Sequence, residues 1–296
     1  MIPQIAEDNM NSFWRIFANY CNMIKIEHSI FALPYAWAGC CLATKGLPSL
    51  YTFFWLTLAM VGIRSFAMGI NRIVDLPYDM ANTRTQNRAL VTGLITIQQT
   101  MLFCVIMAIL FIFSCSMLND LCFWLSIPAL FICGIYSYLK RITPLCHFWL
   151  GGTLGLAPIA GWLSVQPNTL PLVPILLFFA VLFWVAAFDI YYSFQDIEFD
   201  RTYGLNSVPA NYGSQTALAI AGFSHTMTVI FLFLMGFEAG LSSWWYIITG
   251  MIAVLLLTEH SIMRPNDLRQ IDTAFFTLNG IISPAMLVGV LLGLFY

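Results

Sequence analysis

"ITPLCHFWLGGTLGLAPIAGWLSVQPNTLPLVPILLFFAVLFWVAAF", residues 142–188, contains no Asp, Glu, Lys or Arg. A helix that crosses a bilayer needs about 20 mostly apolar residues, so this one stretch holds two, joined around Gln166. Its first half carries "GGTLGLAPIAG" at 151–161; small residues of this kind let helix backbones approach closely within lipid.

The pattern continues in both directions. Residues 46–63, 89–119, 121–139, 202–237, 239–258 and 273–296 are also free of Asp, Glu, Lys and Arg. Only 9% of the 296 residues are charged and 60% are hydrophobic, whereas a soluble domain is about 25% charged. The chain is therefore expected to be an all-α polytopic membrane protein, a single domain over residues 1–296 whose solvent is the lipid bilayer. Nine helices are expected, at 29–45, 50–74, 94–114, 120–139, 146–165, 171–195, 214–235, 241–261 and 273–295. Glu7 and Asp8, with no basic head before a short apolar core, do not read as a cleaved signal peptide. The eight cysteines lie mostly inside apolar runs and read as small packing residues. A net charge of −2 offers no basic surface for nucleic acid.

Lys and Arg set the orientation, because they concentrate in cytoplasmic loops. Arg15 and Lys25, then Arg72, Arg84 and Arg88, then Lys140 and Arg141, then Arg201, then Arg264 and Arg269 fall on one side; the other has Lys45. The N-terminus is thus expected in the cytoplasm and Tyr296 outside, as in a bacterial inner membrane protein.

Two acidic clusters break the apolar pattern. "GINRIVDLPYDMANTRTQNRAL" (69–90) follows the second helix and places Asn71, Asp75 and Asp79 four residues apart. "FDIYYSFQDIEFDRTYGLNSVP" (188–209) ends the sixth helix with Asp189, Asp196 and Asp200. Both helices leave the membrane on the same side. Residues four apart share a helix face, so Asp189, Asp196 and Asp200 are expected to form one acidic stripe and Asn71 with Asp75 another. Pro77 disfavours helix just before it, which predicts Asp79 on a turn. Glu198, two residues from Asp196 and from Asp200, should point away.

Facing carboxylate stripes need a cation between them. Mg²⁺ takes one or two carboxylates plus phosphate oxygens and water, and arginine forks match diphosphate oxygens. Carboxylates, arginines and an apolar interior together fit a substrate with a diphosphate head and a hydrocarbon tail. Solvated loop charges and ion translocation are the competing readings. The second has against it acids at helix ends and a parallel rather than inverted repeat. A lipid phosphotransferase would need a D-G-x-x-A-R sequence, which the chain lacks. Arg64, seven residues before Asn71, lies within the second helix; an intramembrane arginine usually faces a cavity. The four histidines show no metal-ligand spacing and read as interfacial or packing residues.

At these residues the chain resembles the UbiA family of intramembrane aromatic prenyltransferases. The family's N-x-x-x-D-x-x-x-D motif with a following R-T-x-x-R stands here as Asn71, Asp75, Asp79, Arg84 and Arg88. Its second motif stands as Asp189, Tyr192, Asp196 and Asp200, then Gly204 and Ser207; between them "YSYLKRITPLCHFWLG" carries Tyr136, Tyr138, Lys140, Arg141 and Thr143. "RALVTG" at 88–93 departs from the family's "RPLPSG" by two prolines. The resemblance implies nine helices around a central cavity open toward lipid. It implies Mg²⁺-dependent transfer of a polyprenyl group from polyprenyl diphosphate to a hydroxyaromatic acid in ubiquinone or menaquinone synthesis. The acceptor expected is 4-hydroxybenzoate, with 1,4-dihydroxy-6-naphthoate as the alternative. Asp75, Asp79, Asp196 and Asp200, with Asn71, would hold the metal. Arg72, Arg84, Arg88 and Lys140 would neutralise diphosphate, and Arg141 would pair with the acceptor's carboxylate. Asp189 would support the metal shell or orient Tyr192; Phe188, Tyr136, Tyr191 and Tyr192 would shield an allylic cation.

Overall fold

A computed structural model describes residues 14, 17–25, 32–264, 271 and 277–296. Arg15, Arg269, His28, Glu7 and Asp8 lie outside the described residues. The elements are α1 (Leu33–Thr44), α2 (Leu50–Ala81), α3 (Ile97–Leu118), α4 (Asp120–Leu139), α5 (Cys146–Leu163) and α6 (Leu172–Tyr192). A 3₁₀ turn (Ser193–Asp196) leads into α7 (Ile197–Tyr203), followed by α8 (Val208–Tyr212), α9 (Ser214–Glu238), α10 (Ser243–Ile262) and α11 (Asn279–Phe295). Among the described residues all the elements are helical, and the long ones fall within or overlap the expected segments. Among the described residues, six helical stretches are long and apolar enough to cross a membrane.

The helix starts are written in short polar caps. Ser49 accepts from Thr52 N, Asn119 accepts from Cys122 N, and Thr96 with Gln99 forms a reciprocal capping box. Helix α3 is apolar all round and leaves Leu102, Ile106, Ile109 and Phe113 exposed, which in this protein means facing lipid. Helix α6 is the opposite case. In the span that includes it, 67% of the most apolar window is buried, against 22–33% for the other spans, so the bundle is built around it.

Close backbone approach fixes the wall between α1, α5 and α6. A β-carbon at Gly161 would collide with Ala36 O, one at Gly39 with Pro158 O, and one at Gly151 with Leu182 O. The small-residue segment foreseen in the sequence is therefore a seam where backbones touch. Its other side chains, Leu150, Leu154 and Ala157, line the interior cavity.

Helix α6 is also pinned from behind by polar groups. Trp184 Nε1 donates to Asn279 Oδ1 (2.6 Å), and Asn279 Nδ2 donates to Glu259 Oε1 (3.1 Å). Tyr191 OH bonds His260 Nδ1 (2.6 Å) and stands edge-on to His225. Glu259 and Asn279 are fully buried; inside a bilayer such groups persist when they satisfy one another. Tyr191 consequently faces α9 and α10, which corrects its expected place near the substrate: one residue on a helix is a rotation of about 100°.

Two expectations about the acidic segments are also corrected. Helix α2 runs unbroken through Pro77 to Ala81, so Asp79 sits on helix and not on a turn. The proline withholds its N–H from the preceding turn, and Arg141 Nη2 donates to Val74 O in that same turn (2.7 Å). The Asp189–Asp196–Asp200 stripe is interrupted by the 3₁₀ turn. Asp200 lies beyond the turn on α7, where Lys140 and Ser207 hold its two oxygens, and is absent from the cavity wall.

Candidate active site

A cavity of about 940 Å³ opens between α2, α4, α5 and α6. Its apolar part is lined by Met60, Ile63, Leu150, Leu154, Ala157 and Phe188, and its polar part by charged residues from both acidic clusters, Asp75, Asp79, Asp189 and Asp196 among them. On the α2 side, Asn71 Nδ2 donates to Asp75 Oδ2 (2.8 Å), realising the four-residue spacing on one face. Arg141 Nη2 lies 3.2 Å from Asp75 Oδ1, and Nη1 donates to Ser137 O (2.8 Å). Arg88 Nη1 grips both oxygens of Asp79 (2.5 and 2.6 Å). Arg72 is buried and its Nε donates to Met23 O (3.1 Å).

The two clusters meet across more than a hundred residues of chain. Arg84 clasps Asp196 with two bonds, Nε to Oδ1 (3.1 Å) and Nη2 to Oδ2 (2.5 Å), while its Nη1 donates to Tyr192 OH (3.0 Å). Asn82 Nδ2 adds a third donor to Asp196 Oδ1 (3.0 Å). Burial opposes the charge on Arg84, but Asp196 and Tyr192 outweigh it and raise the guanidinium above its ordinary value. Lys140, at the end of α4, is likewise opposed by burial and raised by Asp200.

Asp200 is placed differently from the other three aspartates. It is 0% exposed and absent from the cavity wall; Oδ1 pairs with Lys140 Nζ (2.8 Å) and Oδ2 accepts from Ser207 Oγ (2.9 Å). Asp75, Asp79, Asp189 and Asp196 line the cavity, as do Asn71, Arg64, Arg72, Arg84, Arg88, Lys140, Arg141, Tyr192, Tyr136 and Phe188. Glu198 is exposed and outside it. Among the described residues, no three Asp, Glu, His or Cys side chains converge to hold an ion as they stand. Each rim carboxylate is instead closed by a cationic side chain.

Sequence reasoning missed His147. It is buried on the cavity wall, with Nδ1 2.7 Å from Asp189 Oδ2 and Nε2 accepting from Val208 N (3.1 Å). Its partner lies 42 positions away, and no local spacing signals the pair.

With this geometry in hand, comparison with known proteins is specific. The sequence profile of the UbiA prenyltransferase family matches residues 32–281. A 4-hydroxybenzoate octaprenyltransferase of Xanthomonas campestris pv. campestris (strain B100) is 33% identical over 263 residues, covering 88% of this chain and 86% of that protein. The corresponding enzyme of Yersinia enterocolitica is 30% identical over 239 residues, covering 79% and 81%. Among solved structures, an apo UbiA homolog from Aeropyrum pernix K1 superposes with a TM-score of 0.82 at 30% identity, over 90% of this chain and 97% of that one. A UbiA homolog from Archaeoglobus fulgidus bound to GPP and Mg²⁺ has the same fold, with a TM-score of 0.71 at 22% identity over 92% and 99%. The chain belongs to the UbiA prenyltransferase family.

Proposed function

We propose that this membrane prenyltransferase moves a polyprenyl group from polyprenyl diphosphate to 4-hydroxybenzoate, with Mg²⁺, at the cytoplasmic face of a bacterial inner membrane. The N-terminus lies in the cytoplasm and Tyr296 outside, as the basic loops favour. The observation that carries the reading is the cavity itself: a mouth of alternating carboxylates and guanidinium groups above an apolar chamber. The acceptor follows the curated relatives, which are named for 4-hydroxybenzoate.

The rim fits a magnesium diphosphate by exchange of partners. Asp75, Asp79 and Asp196, with Asn71, supply hard oxygen donors of the kind magnesium prefers, and the cations that now close them are the groups a diphosphate needs. Asp200 joins that set once its pair with Lys140 opens; until then it holds Lys140 at the mouth. Bound magnesium supplies neutralisation of the charge that builds on a departing diphosphate. Arg84, Arg88 and Lys140 share that task through charge-assisted bonds. Tyr136, Tyr192 and Phe188 present aromatic faces that stabilise an allylic cation and keep water from it. Arg64 lines the cavity deeper along α2 than Asp75 by about 16 Å at 1.5 Å per residue and takes the acceptor's carboxylate; Arg141 bonds Asp75, Ser137 O and Val74 O at the mouth.

The test uses the purified full chain in membranes with geranyl diphosphate, 4-hydroxybenzoate and Mg²⁺, read by product mass. Asp75→Asn and Asp196→Asn abolish product, while Glu198→Gln keeps most of it. Equal loss in all three variants rejects the assignment.

A further inference from the structure

We propose that Asp189 is the base that takes the acceptor's phenolic proton, and that His147 is the positioning residue that aims it. The inference rests on the prenyl-transfer reading and assigns a residue within it. Asp75, Asp79 and Asp196 are each closed by an arginine at the cavity mouth. Asp189 lies seven residues before Asp196 on the chain, about 12 Å deeper at 1.5 Å per α-helical and 2.0 Å per 3₁₀ residue. There it neighbours Phe188 and Tyr192 on the cavity wall, and its paired side chain is a histidine.

The histidine's hydrogen bonds fix its state. Val208 N–H donates to Nε2, so that nitrogen carries no hydrogen. Nδ1 therefore carries the proton and donates it to Asp189 Oδ2 at 2.7 Å. Both ring nitrogens are spent, and the side chain is 3% exposed, so His147 has no nitrogen to offer a substrate. What it does is hold one carboxylate oxygen and leave the other toward the cavity; the Asp189 side chain is 24% exposed. A guanidinium in the same place would hold the carboxylate in its charged form and weaken it as a base. An imidazole that keeps Nε2 for Val208 N–H orients the group through the single N–H at Nδ1.

The chemistry balances on this arrangement. The allylic C–O bond breaks, and diphosphate leaves with the electron pair. The ring carbon beside the hydroxyl forms the new C–C bond as the phenolic proton passes to Asp189, giving a neutral dienone. The proton on that ring carbon then goes to the departing diphosphate, the ring becomes aromatic again, and Asp189 returns its proton to the oxygen. The carboxylate ends as it began, with one proton gained by the diphosphate.

The experiment uses the full chain in lipid nanodiscs with geranyl diphosphate, Mg²⁺ and either 4-hydroxybenzoate or its more acidic 3-fluoro derivative. In Asp189→Asn, kcat falls about 100-fold, the lower range for loss of a general base, while KM for geranyl diphosphate stays within about twofold. His147→Gln keeps an acceptor for Val208 N–H but loses the donor to Asp189, and kcat falls roughly tenfold. His147→Asn, whose amide nitrogen takes the place of Nδ1, recovers most of that loss. The Asp189→Asn deficit shrinks with the 3-fluoro acceptor, whose proton is easier to lose; a merely structural role leaves the deficit equal for both acceptors. Wild-type-like rates in Asp189→Asn and His147→Gln, or a deficit that is the same with both acceptors and appears in the donor KM, overturns the inference while prenyl transfer stands. A wild-type chain that prenylates neither acceptor overturns the functional reading and this assignment together.

Discussion

The Lys140–Asp200 pair offers a quantitative test of how the cavity mouth is held. Asp200 is fully buried and has two partners, Lys140 Nζ at 2.8 Å and Ser207 Oγ at 2.9 Å. Lys140→Met leaves a buried carboxylate with one neutral donor; removing one member of a buried pair costs about 3–5 kcal/mol. Asp200→Asn is milder, because the Lys140 side chain is 33% exposed and reaches water in the cavity, and the amide oxygen still accepts from Ser207. Its cost is about 1–2 kcal/mol. The double variant removes both charges together and recovers, so the two changes couple by up to about 3 kcal/mol. Apparent melting moves about 2 °C per kcal/mol in a chain of this length, so Lys140→Met falls by roughly 6–10 °C and the double variant by much less. Helical circular dichroism in detergent, with heating at one fixed rate, reads all four proteins. A double variant as unstable as Lys140→Met refutes the reasoning. Product formation separates stability from chemistry: the double variant is stable and still makes no prenylated acid.

Three other outcomes follow from the same geometry. Chelation with EDTA takes product to background and added Mg²⁺ restores it, measured by product mass. Arg84→Gln removes a two-point charged clasp on Asp196; a charged hydrogen bond is worth about 1.5–3 kcal/mol, so KM for geranyl diphosphate rises about tenfold or more with little change for 4-hydroxybenzoate. Gly161→Ala forces a β-carbon onto Ala36 O and lowers stability by about 1–3 kcal/mol or more, whereas Gly250→Ala, which meets open space, is neutral or stabilising by about 0.5–1 kcal/mol.

What was legible in the sequence was whatever depends on one helix at a time. Charge-free length located the spans, and four-residue spacing put Asn71 beside Asp75 and turned Glu198 outward. Features that arise between elements were not legible. Pro77 is an ordinary reason to stop a helix, and nothing local says that α2 continues to Ala81 or that Arg141, just past α4, bonds Val74 O in the turn before the proline. Nothing local marks Ser193–Asp196 as 3₁₀, and nothing local says that Asp200 is taken by Lys140 and Ser207. His147 was passed over because its partners, Asp189 and Val208 N, come from distant parts of the chain. Tyr191 was misplaced because α6 has two polar faces, and periodicity alone does not say which one meets substrate.

That doubly polar helix has a consequence for how the enzyme fails. The hydrogen bonds that Trp184 and Tyr191 make to Asn279 and His260 act like a keyed shaft, denying α6 the freedom to spin or slide within lipid. Lesions in α10 or α11, on the far side from any substrate atom, would misalign Asp189 and Asp196 by turning the rod that carries them. Loss of turnover in such variants would then report a mechanical fault rather than a missing reactive group.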